Sequence, residues 1–427
     1  MNSLPYIKKV MPNGLRYIFI PQPQSMATTA LILVSTGSEY ETKEINGISH
    51  FLEHLSFKGT TNRPKADMIA SELDSLGAEY NAFTGNEITG YYAKAANKNF
   101  EKILDVVTDL YLNPIIDAAE MDKERGVIIE EINMYEDLPK EKAQENFSAL
   151  LYGDQPAGWS VAGRKEVIRS LTRDDVISYR SKHYVAGKTT VVISGGIDFD
   201  PEEMVLKHFA DMTVAEVIKK PKTIESQKDP QINLFNKKTD QTHLVIGVRA
   251  FDLFDDRRYA LAVLSDILGG SMSSRLFKKV REEMGAAYYV RSTADLGSDV
   301  GTLTVSTGID GTRMVKITEA ILEEFKKLRD VPVSEEELNK SKDHLSGRLV
   351  LQLETSDEVA AFYGTEEAMS GTIRTPEEIL EGIKNVTAKD IMAVAKDIIK
   401  NDSLNLAAVG PFKDGDKEDI SGILKLD

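Results

Sequence analysis

The chain is 427 residues long, 41% hydrophobic and 28% charged, with a formal net charge of −16 and no cysteine. That length exceeds one ordinary core, so two domains of about 200 residues each are expected. The composition excludes disulfides and thiolate metal sites, the acidic balance argues against a nucleic-acid partner, and no apolar run approaches the ~20 residues that cross a bilayer.

The stretch Met1 to Val10 lacks the apolar core of a signal peptide and the Arg/Ser-rich character of a transit peptide, so the expected compartment is the cytoplasm. Leu15 to Ile20 follows an Asn13-Gly14 turn signal, and Thr28 to Ser35 is apolar and β-rich; both read as strands. A helix ending near Gly59 follows, then a second from Pro64 to Leu76, closed by Gly77. Ala78 to Thr84 is extended, and the aromatic and β-branched content of Glu87 to Ala95 predicts a strand. Phe100, Ile103, Leu104, Val107 and Leu110 recur at helical spacing, and Asp117 can cap a helix running to about Tyr135. A Thr-x-x-Asp capping pattern at Thr172 precedes a buried strand at Thr189 to Ser194.

Residues 218–230 are polar, carry two prolines and lack periodicity, which marks a linker between domains at 1–217 and 231–427. The second half repeats the plan of the first. A strand at Thr242 to Val248 leads to a helix at about Arg257 to Leu268, then Gly269-Gly270, a helix from Ser273 and a strand at Gly301 to Ser306. Capping signals at Ser334, Thr375 and Thr387 start further helices, and a strand at Asn405 to Val409 closes the pattern. The expected fold is therefore α+β: two homologous domains, each a mostly antiparallel or mixed sheet with helices on one face.

The stretch Asn46-Gly-Ile-Ser-His-Phe-Leu-Glu-His-Leu-Ser-Phe-Lys-Gly59 carries the chemistry. His50 and His54 stand one helical turn apart and Glu53 lies beside them, so two imidazoles and a carboxylate converge above one helix face. Two imidazoles are half of a tetrahedral zinc set, and a free carboxylate nearby is what an attacking water needs as a base. A third ligand must come from elsewhere. The richest source is Glu124-Arg-Gly-Val-Ile-Ile-Glu-Glu-Ile-Asn-Met134, where Glu124 and Glu131 share a face two turns apart. On that arrangement Glu131 ligates and Glu124 orients a histidine ring, although spacing alone does not select Glu131 over Glu130. The remaining histidines, His183, His208, His243 and His344, have no partner pattern and read as capping, packing or solvent-facing.

His50-Phe-Leu-Glu-His54 resembles the inverted zinc motif H-x-x-E-H of the pitrilysin/insulin-degrading metallopeptidases, the inverzincins. In that family a glutamate follows the second histidine after 76 residues; here 76 residues intervene between His54 and Glu131, and a further glutamate seven positions earlier is Glu124. Asn81-Ala-Phe-Thr84 and Gly269-Gly-Ser-Met-Ser-Ser-Arg-Leu-Phe277 also look like the family, and Arg281-Glu-Glu-Met-Gly-Ala-Ala-Tyr288 resembles its paired Arg and Tyr. The chain reads Gly-Ala-Ala-Tyr-Tyr where relatives often read Gly-Leu-Ala-Tyr-Ser; the seven-residue spacing points to Tyr288, with Tyr289 as the alternative.

The resemblance covers nearly the whole chain and implies a zinc-dependent endopeptidase. One Zn²⁺ per chain would be held by His50, His54 and Glu131, Glu53 would act as general base, and Glu124 would orient a histidine. Arg281 and Tyr288 would contact substrate and oxyanion, while Asn81, Ala82, Phe83 and Thr84 would pair with an extended peptide. Large relatives enclose a chamber with four such domains, so a two-domain chain is expected to form a homodimer with composite sites. Two alternatives remain: a processing-peptidase-like subunit needing a different partner, and a non-catalytic core-type subunit.

Overall fold

The computed structural model describes residues 5–426; residues 1–4 and 427, which include the start of the N-terminal stretch and the outer ends of the two expected domains, lie outside the described residues. In the first half the elements are β1 (Ile7–Val10), β2 (Arg16–Pro21), β3 (Ala27–Val34), α1 (Ile48–Ser56), α2 (Ala66–Ser75), β4 (Glu79–Thr84), β5 (Thr89–Ala96), α3 (Phe100–Leu112), α4 (Ala118–Asp137), α5 (Pro139–Tyr152), α6 (Lys165–Ser170), α7 (Arg173–His183), β6 (Thr189–Gly195) and α8 (Glu202–Phe209). The second half has β7 (Gln231–Asn236), β8 (Thr242–Ala250), α9 (Arg258–Gly269), β9 (Ala287–Leu296), β10 (Gly301–Ile309), α10 (Met314–Asp330), α11 (Glu335–Gln352), α12 (Ser356–Ser370), α13 (Pro376–Asn385), α14 (Ala388–Ile398), β11 (Asn405–Gly410) and α15 (Asp416–Ile423). Residues 218–230 carry neither helix nor strand.

The strands form two mixed sheets, ordered β1-β2-β6-β3-β5-β4 and β7-β11-β8-β10-β9. Leaving aside β1, the two orders correspond strand for strand. Even the one parallel pair recurs, β2 with β6 in the first sheet and β7 with β11 in the second. The duplication read from the sequence is thus visible in topology. In both sheets the strand that enters last in this order, β4 or β9, has a neighbour on one side only.

Side chains alternate across each sheet. Tyr17, Phe19, Ile32, Val34 and Tyr91 join α1, α3 and α7 in the main core of the first sheet. Their neighbours Ile18, Ile20, Leu31, Leu33 and Val192 point the other way and meet Val359, Ala360 and Tyr363 of α12. In the second sheet Leu244, Ile246 and Val248 pack under α9, α10 and α14, and Val245, Ala407 and Val409 meet Ala143, Phe147 and Leu151 of α5. The helices read from the sequence gather on one face of each sheet. The other face carries one more helix, and that helix is donated by the opposite half of the chain.

The compact units are accordingly not contiguous. One comprises residues 1–132, 160–221 and 349–377, and the other residues 133–159, 222–348 and 378–427. Burying a side chain the size of Val or Leu contributes about 1.5–3 kcal/mol, so the apolar stripe on α12 is enough to hold it on the first sheet.

Candidate metal centre

Helix α1 exists because Ile48, Phe51, Leu52 and Leu55 repeat at helical spacing and are fully buried. Its N-cap, Gly47, sits at φ 97 and offers no side chain. Glu41, 2% exposed, takes over that role: its carboxylate accepts from the Gly47 and Ser49 backbone N–H at 2.6 and 2.8 Å and from Asn46 Nδ2 at 3.0 Å. Burial pushes this carboxyl up to about 7, against the pull of those same hydrogen bonds.

The opposite face of α1 presents His50, Glu53 and His54. Asp117 precedes helix α4 and its side chain accepts from the Ala119 and Glu120 backbone N–H, and the helix buries Met121, Glu124, Ile128 and Ile132 along one stripe. That stripe turns Glu124 and Glu131 toward α1. His54 Nε2 lies 3.3 Å from His50 Nε2 and 3.3 Å from Glu131 Oε2, and His50 Nε2 lies 3.6 Å from the same oxygen. A tetrahedral zinc with ligands at about 2.0–2.1 Å has an edge of about 3.3–3.4 Å, so these three donors already stand at the spacing of one tetrahedral face. Among the described residues no other trio of His, Asp or Glu donors gathers as closely.

At His50 protonation favours the same reading. Burial, reinforced by neighbouring His54, drives the His50 ring down to about 4, so it is neutral and offers a lone pair. Burial also acts to lower His54, but hydrogen bonds to Glu131 and Glu124 and the charge of Glu53 outweigh it and raise the ring. Glu124 Oε2 is 3.2 Å from His54 Nδ1; a proton on that nitrogen leaves Nε2 free to ligate. Lys58, four residues beyond His54, completes the arrangement at 2.6 Å from Glu124 Oε1. The donor set fits zinc in number, chemistry and spacing.

Glu53 stands beside the triangle. Burial raises its carboxyl, and a 2.6 Å hydrogen bond from the Thr84 hydroxyl opposes that rise. Thr84 ends β4, the edge strand, so Asn81, Ala82, Phe83 and Thr84 do lie on an open sheet edge that touches the proposed base. The i+4 spacing from His54 is a local signal for Lys58, whereas no local pattern announces the Thr84 contact or Glu41.

Arg281 and Tyr288 lie in the other compact unit. The helix expected from Ser273 is wound as a π-helix over Phe277–Glu283, and the chain then enters β9 at Ala287. Arg281 Nη1 donates to the Tyr288 carbonyl at 2.7 Å, and its guanidinium lies over the Phe277 and Tyr288 rings. Tyr288 is 75% exposed, while the Tyr289 hydroxyl meets His243 Nδ1 at 3.1 Å under Lys140. Of the two tyrosines, Tyr288 is the one available to a ligand. His344 is tied to Asp266 at 2.7 Å, and His183 is buried beside Thr36 and Lys188.

The fold is a duplicated one of two sheets, and its first sheet carries a His₂Glu donor triangle. The insulinase (peptidase family M16) model matches residues 17–165, and the peptidase M16 inactive-domain model matches residues 170–345. The chain is 34% identical over 400 residues to a protein of Bacillus subtilis named an uncharacterized zinc protease, covering 93% of this chain and 97% of that one. A Streptomyces coelicolor protein of the same description is 32% identical over 418 residues, covering 95% and 90%. Among solved structures, a protease from Helicobacter pylori superposes with a TM-score of 0.88 at 22% identity, over 96% of this chain and 100% of that one. The chain belongs to peptidase family M16. No helix among the described residues is long and apolar enough to cross a membrane.

Proposed function

We propose that this protein is a zinc-dependent endopeptidase of the cytoplasm, acting on short or unfolded peptides inside a chamber completed by a second copy of the chain. The observation that carries the reading is the donor triangle of His50, His54 and Glu131 with the Glu53 carboxylate one turn of helix away. Zinc in that triangle would polarise the scissile carbonyl and acidify a water. Glu53 then takes a proton from the attacking water and returns it to the leaving nitrogen. Its raised affinity for protons suits the second step, and the Thr84 hydrogen bond keeps it ionised enough for the first. Glu124 fixes the tautomer and angle of His54. An extended peptide adds to the free edge of β4 along Asn81 to Thr84, which reads backbone and tolerates varied sequence.

Arg281 and Tyr288 serve as the substrate and oxyanion contacts, supplied by the second copy. The exposed Tyr288 ring and the Arg281 guanidinium held against it support that role. The test is metal analysis with a chelator-sensitive cleavage assay on the purified protein, beside Glu53→Gln. Zinc retained with cleavage abolished is expected; undiminished cleavage would falsify the base assignment. Mixing Glu53→Gln with Arg281→Ala/Tyr288→Phe protein under subunit exchange should restore activity, and no recovery despite exchange refutes the composite site.

A further inference from the structure

Strand β4 has two faces. Thr84 and Ala82 turn toward α1 and the main core, whereas Phe83 turns to the side covered by α12. There the Phe83 ring occupies the space a Cβ on Gly90 would need, and it remains 37% exposed. Beside it opens a recess of about 160 Å³, walled by Leu31, Phe83, Tyr92 and Ala361 and closed at one end by Asp357 and Glu358 in the first turn of α12. Lys94 bridges Asp357 at 3.0 Å and Glu79 at 3.3 Å. Glu358 is exposed and has no ion pair among the described residues. Three carboxylates against one ammonium leave a net charge of −2 at this end. The same negative field, after burial itself, holds the Tyr92 phenol above its usual range.

We propose that this recess is the subsite in which the centre receives a lysine or arginine side chain of its peptide. The inference rests on the peptidase reading given above. A strand paired with β4 sends alternate side chains to its two faces, so a neighbour of the residue presented to Glu53 is aimed at the α12 side. A four- or three-carbon stem lies against Phe83 and Tyr92 while its cationic head reaches Glu358. Acidic residues in a first helical turn also complement the helix dipole, but that role requires no apolar recess beside a free strand edge.

The test uses fluorogenic peptides of one neutral sequence in which each position in turn is Lys or Glu, with kcat/KM measured for wild type, Glu358→Lys and Glu335→Lys. Glu335, in the exposed first turn of α11, controls for net charge. At one position near the cleaved bond the wild-type Lys/Glu ratio should be about three- to tenfold. Glu358→Lys should abolish or invert that ratio, and Glu335→Lys should leave it. A ratio insensitive to Glu358→Lys at every position overturns the proposal. If the wild type cleaves no peptide, the peptidase reading fails and the recess is judged by binding of the labelled Lys peptide. Weakened binding in Glu358→Lys but not in Glu335→Lys upholds the subsite, and equal binding in all three proteins removes it.

Discussion

Replacing Glu124 with Gln isolates what the orienting carboxylate contributes. Glu124 is 5% exposed, and its two oxygens face His54 Nδ1 at 3.2 Å and Lys58 Nζ at 2.6 Å. The amide fills the same space, so the packing of Met121, Ile128 and Ile132 on α4 persists. What disappears is the charge that holds the proton on Nδ1 and the lone pair on Nε2. Losing such a partner weakens metal binding about 10–100-fold, equivalent to about 1.4–2.8 kcal/mol. Zinc affinity measured by competition with a chromogenic chelator should fall by that factor, while the metal-free protein melts within a few degrees of wild type. Glu130→Gln, on the exposed side of the same helix, should bind zinc as wild type does. Wild-type affinity in Glu124→Gln, or an equal loss in Glu130→Gln, would refute the assigned geometry.

Three further outcomes follow from contacts described above. Thr84→Val removes the hydrogen bond that lowers the Glu53 carboxyl, so Glu53 holds its proton to higher pH and the acidic limb of the kcat/KM profile should move upward. Lys188 is 2% exposed, lies 3.9 Å over the Tyr40 ring and is pushed by burial down to about 7. The unfolded chain therefore binds more protons between pH 7 and about 10.5, and stability should rise with pH across that window; Lys188→Met should flatten the dependence in chemical denaturation. Tyr288→Phe should reduce kcat with an unchanged melting temperature, whereas Tyr289→Phe loses its contact with His243 and should cost about 0.5–1.5 kcal/mol of stability.

Much of the fold is legible in local signals. The Thr172 and Thr387 capping boxes both form, and the apolar run at Thr189 to Ser194 is a strand buried on both faces. The expected strands at Thr28 to Ser35 and Gly301 to Ser306 appear as Ala27–Val34 and Gly301–Ile309. At the centre, two turns between Glu124 and Glu131 translate directly into two carboxylates facing α1, because a helix makes such spacing geometric. The helices α5 and α12 have only a weak signal in the sequence. Each offers one sparse stripe, such as Ala143, Phe147 and Leu151, and the surface it covers lies in the other half of the sequence. The π-helix before β9 carries the sequence pattern of an ordinary helix, since residue spacing does not distinguish i→i+5 from i→i+4 bonding; its mark is the Met284 N–H reaching the Lys279 carbonyl at 3.1 Å.

The exchange of α5 and α12 has a consequence for how the chain comes off the ribosome. The strands of the first sheet are complete once Gly195 has emerged, yet the face bearing Ile18, Ile20, Leu31, Leu33 and Val192 stays uncovered until Tyr363 follows. During that interval an apolar sheet surface waits on a segment more than 160 residues downstream, the situation in which transient aggregation and chaperone capture arise. The first half synthesised alone should for the same reason be poorly soluble, and adding the α12 peptide in trans should rescue it.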